Sequence, residues 1–156
     1  MSPGPFDLCI QHGILGGFIP PRPSAVHNLS FKPPDNPHIL LTSQFPYPSG
    51  GVTAQQLDSK PKSIQISDDT TNIVKELEDI LRKLPTEEVP SNDIYGRNIG
   101  IFWQGADGFA WANSAPQGCG RFDSGIVVTE DHKKDFDRAV EITEILVQRG
   151  VAYESA

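Results

Sequence analysis

Two stretches of this chain hold residues whose types and spacing could act on another molecule. The first runs from Ile10 to Pro23 and reads IQHGILGGFIPPRP. Gly13, Gly16 and Gly17 flank Ile14 and Leu15, Phe18 and Ile19 follow, and Pro20, Pro21 and Pro23 close the segment. Glycine reaches backbone conformations closed to other residues, while proline fixes φ and removes a donor. Such a loop is stiff on its far side and pliant in its middle. It sets Leu15, Phe18 and Ile19 beside the bare backbone of Gly16 and Gly17, a surface able to grip another protein. The competing reading is a tight turn whose hydrophobes fold back into the core.

The second stretch is Gln117-Gly118-Cys119-Gly120-Arg121, an open thiol with a cation near it. A neighbouring cation lowers a thiol pKa. As a nucleophile, Cys119 would need a histidine within hydrogen-bond reach, and His12 and His132 are the candidates. Nothing in their spacing brings either one to it, so a structural or incidental thiol is the expectation. The other cysteine, Cys9, falls on a predicted strand. In a cytosolic chain both are expected as free thiols.

Other chemistries have no signature. His12, His27, His38 and His132 are scattered over strands and loops, and no histidine, cysteine or carboxylate groups have metal-ligand spacing. Gly118-Cys119-Gly120 continues into neither a phosphate-binding loop nor a nucleophile elbow, so no cofactor is expected. Glu76, Glu78 and Asp79 read as the solvated face of a helix, and Glu130-Asp131 as the acidic start of another. Trp103 and Trp111, with Phe102 and Phe109, make an aromatic-rich pair of strands, expected to pack as sheet core, with a solvent-facing platform for a ligand as the alternative.

These residues need a frame to position them. A length of 156 residues suits one domain, and 37% hydrophobic with 21% charged residues describes a globular chain. A formal charge of −7 makes a nucleic-acid backbone or an anionic membrane a poor partner. No run approaches the roughly 18 apolar residues of a membrane span. The opening MSPGPFD has neither a basic segment nor an apolar signal region, which predicts a cytoplasmic protein, with leaderless secretion as the other route.

Of the 14 prolines, 11 lie at or before Pro61, so the first part is read as short strands joined by rigid turns. Strands are expected at Phe6 to Gln11, at Ala25 to Phe31 with Ala25, His27, Leu29 and Phe31 on one face, and at His38 to Phe45. Pro46 to Pro61 reads as a surface loop, and Ser63 to Ile66 as a short edge strand. Helical spacing then takes over from Asp69 to Leu84, through Ile73, Leu77, Ile80, Leu81 and Leu84, with Asp68 or Asp69 as cap. A hairpin follows, Asn98 to Trp103 and Phe109 to Asn113 about a glycine-containing turn. The 114–125 segment reads as a second loop leading to a short strand, Ile126 to Val128. Thr129 caps a second helix, Glu130 to Arg149, whose stripe is Phe136, Val140, Thr143 and Val147, with Ala139 and Leu146 beside it. The expected fold is a single α+β domain: five or six antiparallel strands with two amphipathic helices on one face.

Three features in this order carry a family resemblance. An early strand runs into Gly16-Gly17-Phe18, a mid-chain helix ends in Leu81-Arg82-Lys83-Leu84-Pro85, and Asp93-Ile94-Tyr95 precedes a strand. With a final amphipathic helix, the chain resembles emfourin, a small proteinaceous inhibitor of thermolysin-like (M4) zinc metallopeptidases. The resemblance implies helices packed on an antiparallel sheet, a contact site at Gly16, Gly17 and Phe18, and Tyr95 as an anchor of core or loop. The chain departs from the family in its proline-rich third strand, its 46–61 and 114–125 loops, and Ile19-Pro20 after Phe18. The expectation is a protein-binding domain that presents Gly13 to Pro23 to a metallopeptidase cleft. A protein-interaction module of the same fold with another partner is the alternative, and a small enzyme or ligand-binding domain using Cys119 is the second.

Overall fold

Phe6, Leu8 and Ile10 alternate with Asp7, Cys9 and Gln11, and this alternation forms the first strand, β1 (Phe6–His12). The computed structural model describes residues 4–13, 25–33, 35, 37–44, 60–85, 95–113 and 127–152. Within them β1 is followed by β2 (Ala25–Phe31), β3 (Ile39–Gln44), β4 (Lys62–Ile64), α1 (Asp68–Lys83), β5 (Ile99–Gly105), β6 (Ala110–Ala112), α2 (Glu130–Gln148) and β7 (Val151–Ala152). The strands form one antiparallel sheet in the order β6-β5-β1-β2-β3-β4-β7. The fold is α+β, with six strands of three or more residues, as expected, and a two-residue seventh.

No sequence pattern announces β7, because two residues carry no period. It pairs with β4, so β4 is not the edge strand its position in the sequence suggests. The strand expected at Ile126 to Val128 does not form where it is described: Val127 and Val128 belong to no element, and Val127 is exposed. Ile126 and Phe45 lie outside the described residues, as do most of the two expected loops.

Register fixes the faces. Phe6, Leu8 and Ile10 stand level with Phe31, Leu29 and His27 on one side and with Gly105, Trp103 and Ile101 on the other. Side chains alternate across a strand, so all of these point to the same face. Ile39, Leu41, Ile64 and Trp111 join them, and this face carries the core. Trp103 and Trp111 are direct cross-strand partners, each 5% exposed, which makes them sheet core.

Both helices cover that face. α1 carries the chain from β4 across to β5, and α2 returns it from β6 to β7 beside β4, so the two run antiparallel. Salt bridges tie them at mid-length and at one end: Arg138 to Glu76 at 2.7 Å and Arg149 to Asp69 at 2.5 Å. Arg138 holds the Glu76 carboxyl below its ordinary pKa. The N-cap of α1 is Ser67, whose hydroxyl accepts from the Thr70 N–H, and not Asp68 or Asp69. Those carboxylates occupy the first turn, where they complement the helix dipole. The buried stripe of α1 is Thr70, Val74, Leu77 and Leu81, with Ile73 and Ile80 at its border. In α2, capped by Thr129 as expected, the stripe is Phe136, Ala139, Ile142, Thr143 and Leu146, while Val140 and Val147 are only partly buried. Each helix meets the sheet below and the other helix beside it, and the second contact rotates the buried arc away from the most hydrophobic line.

The end of α1 is pinned by two aromatic donors. Trp111 Nε1 donates to the Leu84 carbonyl at 3.1 Å, and the Tyr95 hydroxyl donates to the Pro85 carbonyl at 2.5 Å. Orphan carbonyls at a helix C-terminus need such partners. Tyr95 is fully buried and stacks on Phe136, with ring centroids 4.4 Å apart. The family resemblance expected Tyr95 to anchor core or loop, and it does both.

Leu77 is 0% exposed. Leu77→Asp puts an unpaired charge into the core and should abolish the cooperative melting transition followed by circular dichroism. Tyr95→Phe removes only the bond to Pro85 and should cost about 1 kcal/mol in urea titration.

Candidate functional site

His12 pairs with Ala25 at the last rung between β1 and β2, so residues 13–24 bridge two neighbouring strands in the middle of the sheet. The first residue of that bridge is held on both sides. The Gly13 N–H donates to the Asn98 carbonyl at 2.9 Å, and its own carbonyl accepts from Gln11 Nε2 at 2.9 Å. Its φ is +100°, a conformation that an L side chain rarely adopts. The glycine is therefore required at the point where the chain leaves the sheet.

Directly beneath this point lies a polar cluster. The His12 Nε2 is 2.8 Å from Glu144 Oε1 of α2. His27 Nδ1 and Ser43 Oγ share a hydrogen bond of 2.7 Å, which links β2 to β3. The two imidazoles stand edge to face with centroids 6.0 Å apart. Spacing along the chain does not reveal this group. It forms because antiparallel register makes His12 and His27 diagonal neighbours on one face, and α2 lays Glu144 over them. The usable signal was the alternation that puts His27 on the buried face of β2.

A serine hydroxyl against a neutral imidazole has the elements of a nucleophile and its base. Here His27 and Ser43 are each 8% exposed, and their hydrogen bond joins β2 to β3. Among the described residues no group of three or more histidine, cysteine, aspartate or glutamate side chains could hold a metal ion.

Four long connections attach at this same end of the sheet. Segments 13–24 and 45–61, the 84–98 approach to β5, and 113–129 after β6 all leave from or arrive at the end marked by His12. The links at the opposite end are short, 32–38, 65–67 and 106–109. Asn113 finishes the root of the 113–129 connection. β6 is too short to cover the outer edge of β5, and the Asn113 side chain substitutes for it, accepting from the Ile101 N–H at 2.6 Å and donating to the Ile99 carbonyl at 2.9 Å.

The expected contact residues Leu15, Gly16, Gly17, Phe18 and Ile19 lie outside the described residues, and so does Cys119. Of the two histidines considered as partners for that thiol, His12 is engaged by Glu144. His132 belongs to the capping box of α2, its Nδ1 accepting from the Thr129 N–H at 3.1 Å. Cys9 is a half-buried free thiol on the face away from the helices, and burial pushes its pKa up. No described helix is long and apolar enough to cross a membrane. Compared with models of known protein families and with curated protein sequences, the chain matches none.

Burial holds the His27 imidazole below the ordinary histidine pKa; His12 adds to the effect, Glu144 opposes it and Lys62 adds to it again. The unfolded chain therefore takes up this proton first as pH falls. Stability tied to neutral His27 is present above about 6.5 and is lost as pH falls through the lower folded-state value. The melting temperature should drop between pH 7 and pH 5, and His27→Gln should flatten that slope in parallel thermal melts.

Proposed function

We propose that this chain is a protein-binding domain and, on its resemblance to emfourin, an inhibitor of a thermolysin-like metallopeptidase. The segment that enters the active-site cleft is Gly13 to Pro23. The observation that carries the reading is the root of that segment. It springs from two central strands, of which β1 is paired along its whole length on both edges, with Gly13 fixed through both its N–H and its carbonyl. A binding loop gains affinity when its ends are ordered before the partner arrives. Pro20, Pro21 and Pro23 add stiffness on the return side.

In this reading Gly16 and Gly17 let the backbone come close to the peptidase, and Phe18 supplies the apolar anchor, flanked by Leu15 and Ile19. The grouping of four long connections at one sheet end also favours the broader reading, an interaction module of this fold with a different protein partner. Titration of a thermolysin-like peptidase with the purified protein separates the two. Stoichiometric loss of activity supports the inhibitor, and an unaffected peptidase supports the module.

Phe18→Ala should weaken inhibition by about 2–4 kcal/mol, as for an interface hot spot, with little change in melting temperature. If Phe18 packs in the core instead, the same variant loses several kcal/mol of stability. Gly13→Val should both lower the melting temperature and weaken inhibition, because it strains the root itself. Cys119→Ser should leave inhibition intact, whereas loss of activity in that variant would favour the thiol-dependent alternative.

A further inference from the structure

Both helices lie on one face of the sheet, and the strand residues between the core positions point the other way. The middle outward row runs Ala112, Phe102, Cys9, Asn28 and Thr42 across β6, β5, β1, β2 and β3. Asn28, on a central strand, is exposed, and Phe102, Cys9 and Thr42 are only partly buried. Of all the outward strand positions from β6 to β7, only Asp7 carries a charge. It is paired with Lys32, just past the end of β2, at 2.6 Å.

An antiparallel sheet that turns one face to water usually carries polar and charged side chains there. The middle of a protein interface has the opposite composition, with charged residues depleted and aromatic ones enriched. This face, with Phe102 in its middle row, has that second composition. Charge indicates what covers it. The chain carries a formal −7, and α1 and α2 hold five and six carboxylates against three lysines or arginines each. Two copies meeting helix to helix would repel each other. Meeting sheet to sheet, they join surfaces without net charge, because Lys32 cancels Asp7. Size agrees as well. Strand spacing and rise give the face a projected area of roughly 600 Å², and a stable interface takes about 600–1,000 Å² from each partner.

We propose that a second copy of this chain covers this face, the two sheets stacking about a two-fold axis close to Cys9 and Asn28. A symmetric dimer uses one patch on both subunits, so a patch free of net charge can meet itself. Aligned sheets pack about 10 Å apart with their side chains interleaved. The small Cys9 and Ala112, on either side of Phe102, leave room for side chains of the copy. Cys9 and Asn28 are level on β1 and β2, the middle pair of the four long strands. An axis through the centre of the face therefore brings each Cys9 near its own copy. The face lies outside Gly13 to Pro23, so the proposal is independent of the inhibitor reading.

Sedimentation equilibrium of the full chain at neutral pH should return twice the chain mass at micromolar concentration. Added salt should tighten the dimer, since it screens the repulsion between two chains of −7 and finds no interface ion pair to weaken. Asn28→Asp keeps the shape of the side chain and sets two carboxylates against each other near the axis. It should weaken association about tenfold or more, through unpaired charge taken out of water, with an unchanged circular dichroism spectrum. Gln148→Glu adds the same charge at an exposed position of α2 and should leave association unchanged. In a Cys119→Ser background, a short bismaleimide should link Cys9 to Cys9, and adding Asn28→Asp should suppress that product. The proposal is overturned by a monomer mass throughout, by a dimer that salt dissociates or that Asn28→Asp leaves intact, or by a dimer in which Cys9 does not cross-link.

Discussion

The double pairing of β1 is the constraint on which the rest of the molecule depends. Its residues Phe6 to His12 are matched one for one with Phe31 to Ala25 on one side and with Gly105 to Ile99 on the other. A strand paired on both edges has no backbone groups left for water. Its register cannot slip by one residue without turning Phe6, Leu8 and Ile10 out of the core. Each of those side chains is 2% exposed or less, and burying one is worth about 2 kcal/mol. With β1 fixed, its two ends are fixed too: Gly13 at one, and Phe6, stacked on Trp103, at the other.

The helices follow from that sheet. One face of β1 and its neighbours is apolar, and α1 and α2 must cross it in opposite directions to link strands that lie on opposite sides of β1. The ion pairs between them are largely exposed, and exposed pairs contribute little to stability. The interior contacts hold the helices down, above all Leu77, Leu81, Phe136 and Leu146, all with no exposed surface.

Polar groups divide the molecule into finished and unfinished regions. At the end of α1 and along the outer edge of β5, buried groups are closed off one by one through Trp111, Tyr95 and Asn113. Beneath the loop root, His27 and Ser43 do the same between β2 and β3. At the far end of the sheet Thr71 Oγ1 and Trp103 Nε1 stay buried without a partner. The two ends of one sheet thus differ in kind. One is a base from which long connections depart, and the other is joined by short links.

Local pattern was enough for most of the frame. Alternation located β1, β2 and β3, helical spacing located α1 and α2, Thr129 announced its cap, and the glycine-containing turn placed the β5–β6 hairpin. These signals lie within one segment, and each reflects how a segment with one apolar face must be buried. What the tertiary structure decided involves pairs of segments. β7 exists only because Lys62 and Ser63 offer it an edge. Ser67, rather than Asp68 or Asp69, caps α1 because its position brings its hydroxyl to the Thr70 N–H. The buried arcs of the helices are set by a neighbour as much as by their own hydrophobicity. Gly13 was legible as a glycine in a loop, but its need for a positive φ comes from its hydrogen bonds to Asn98 and Gln11. The meeting of His12, His27, Ser43 and Glu144 left no periodic trace. Contacts between residues far apart in the chain are fixed by strand order and register, which no single stretch of sequence contains.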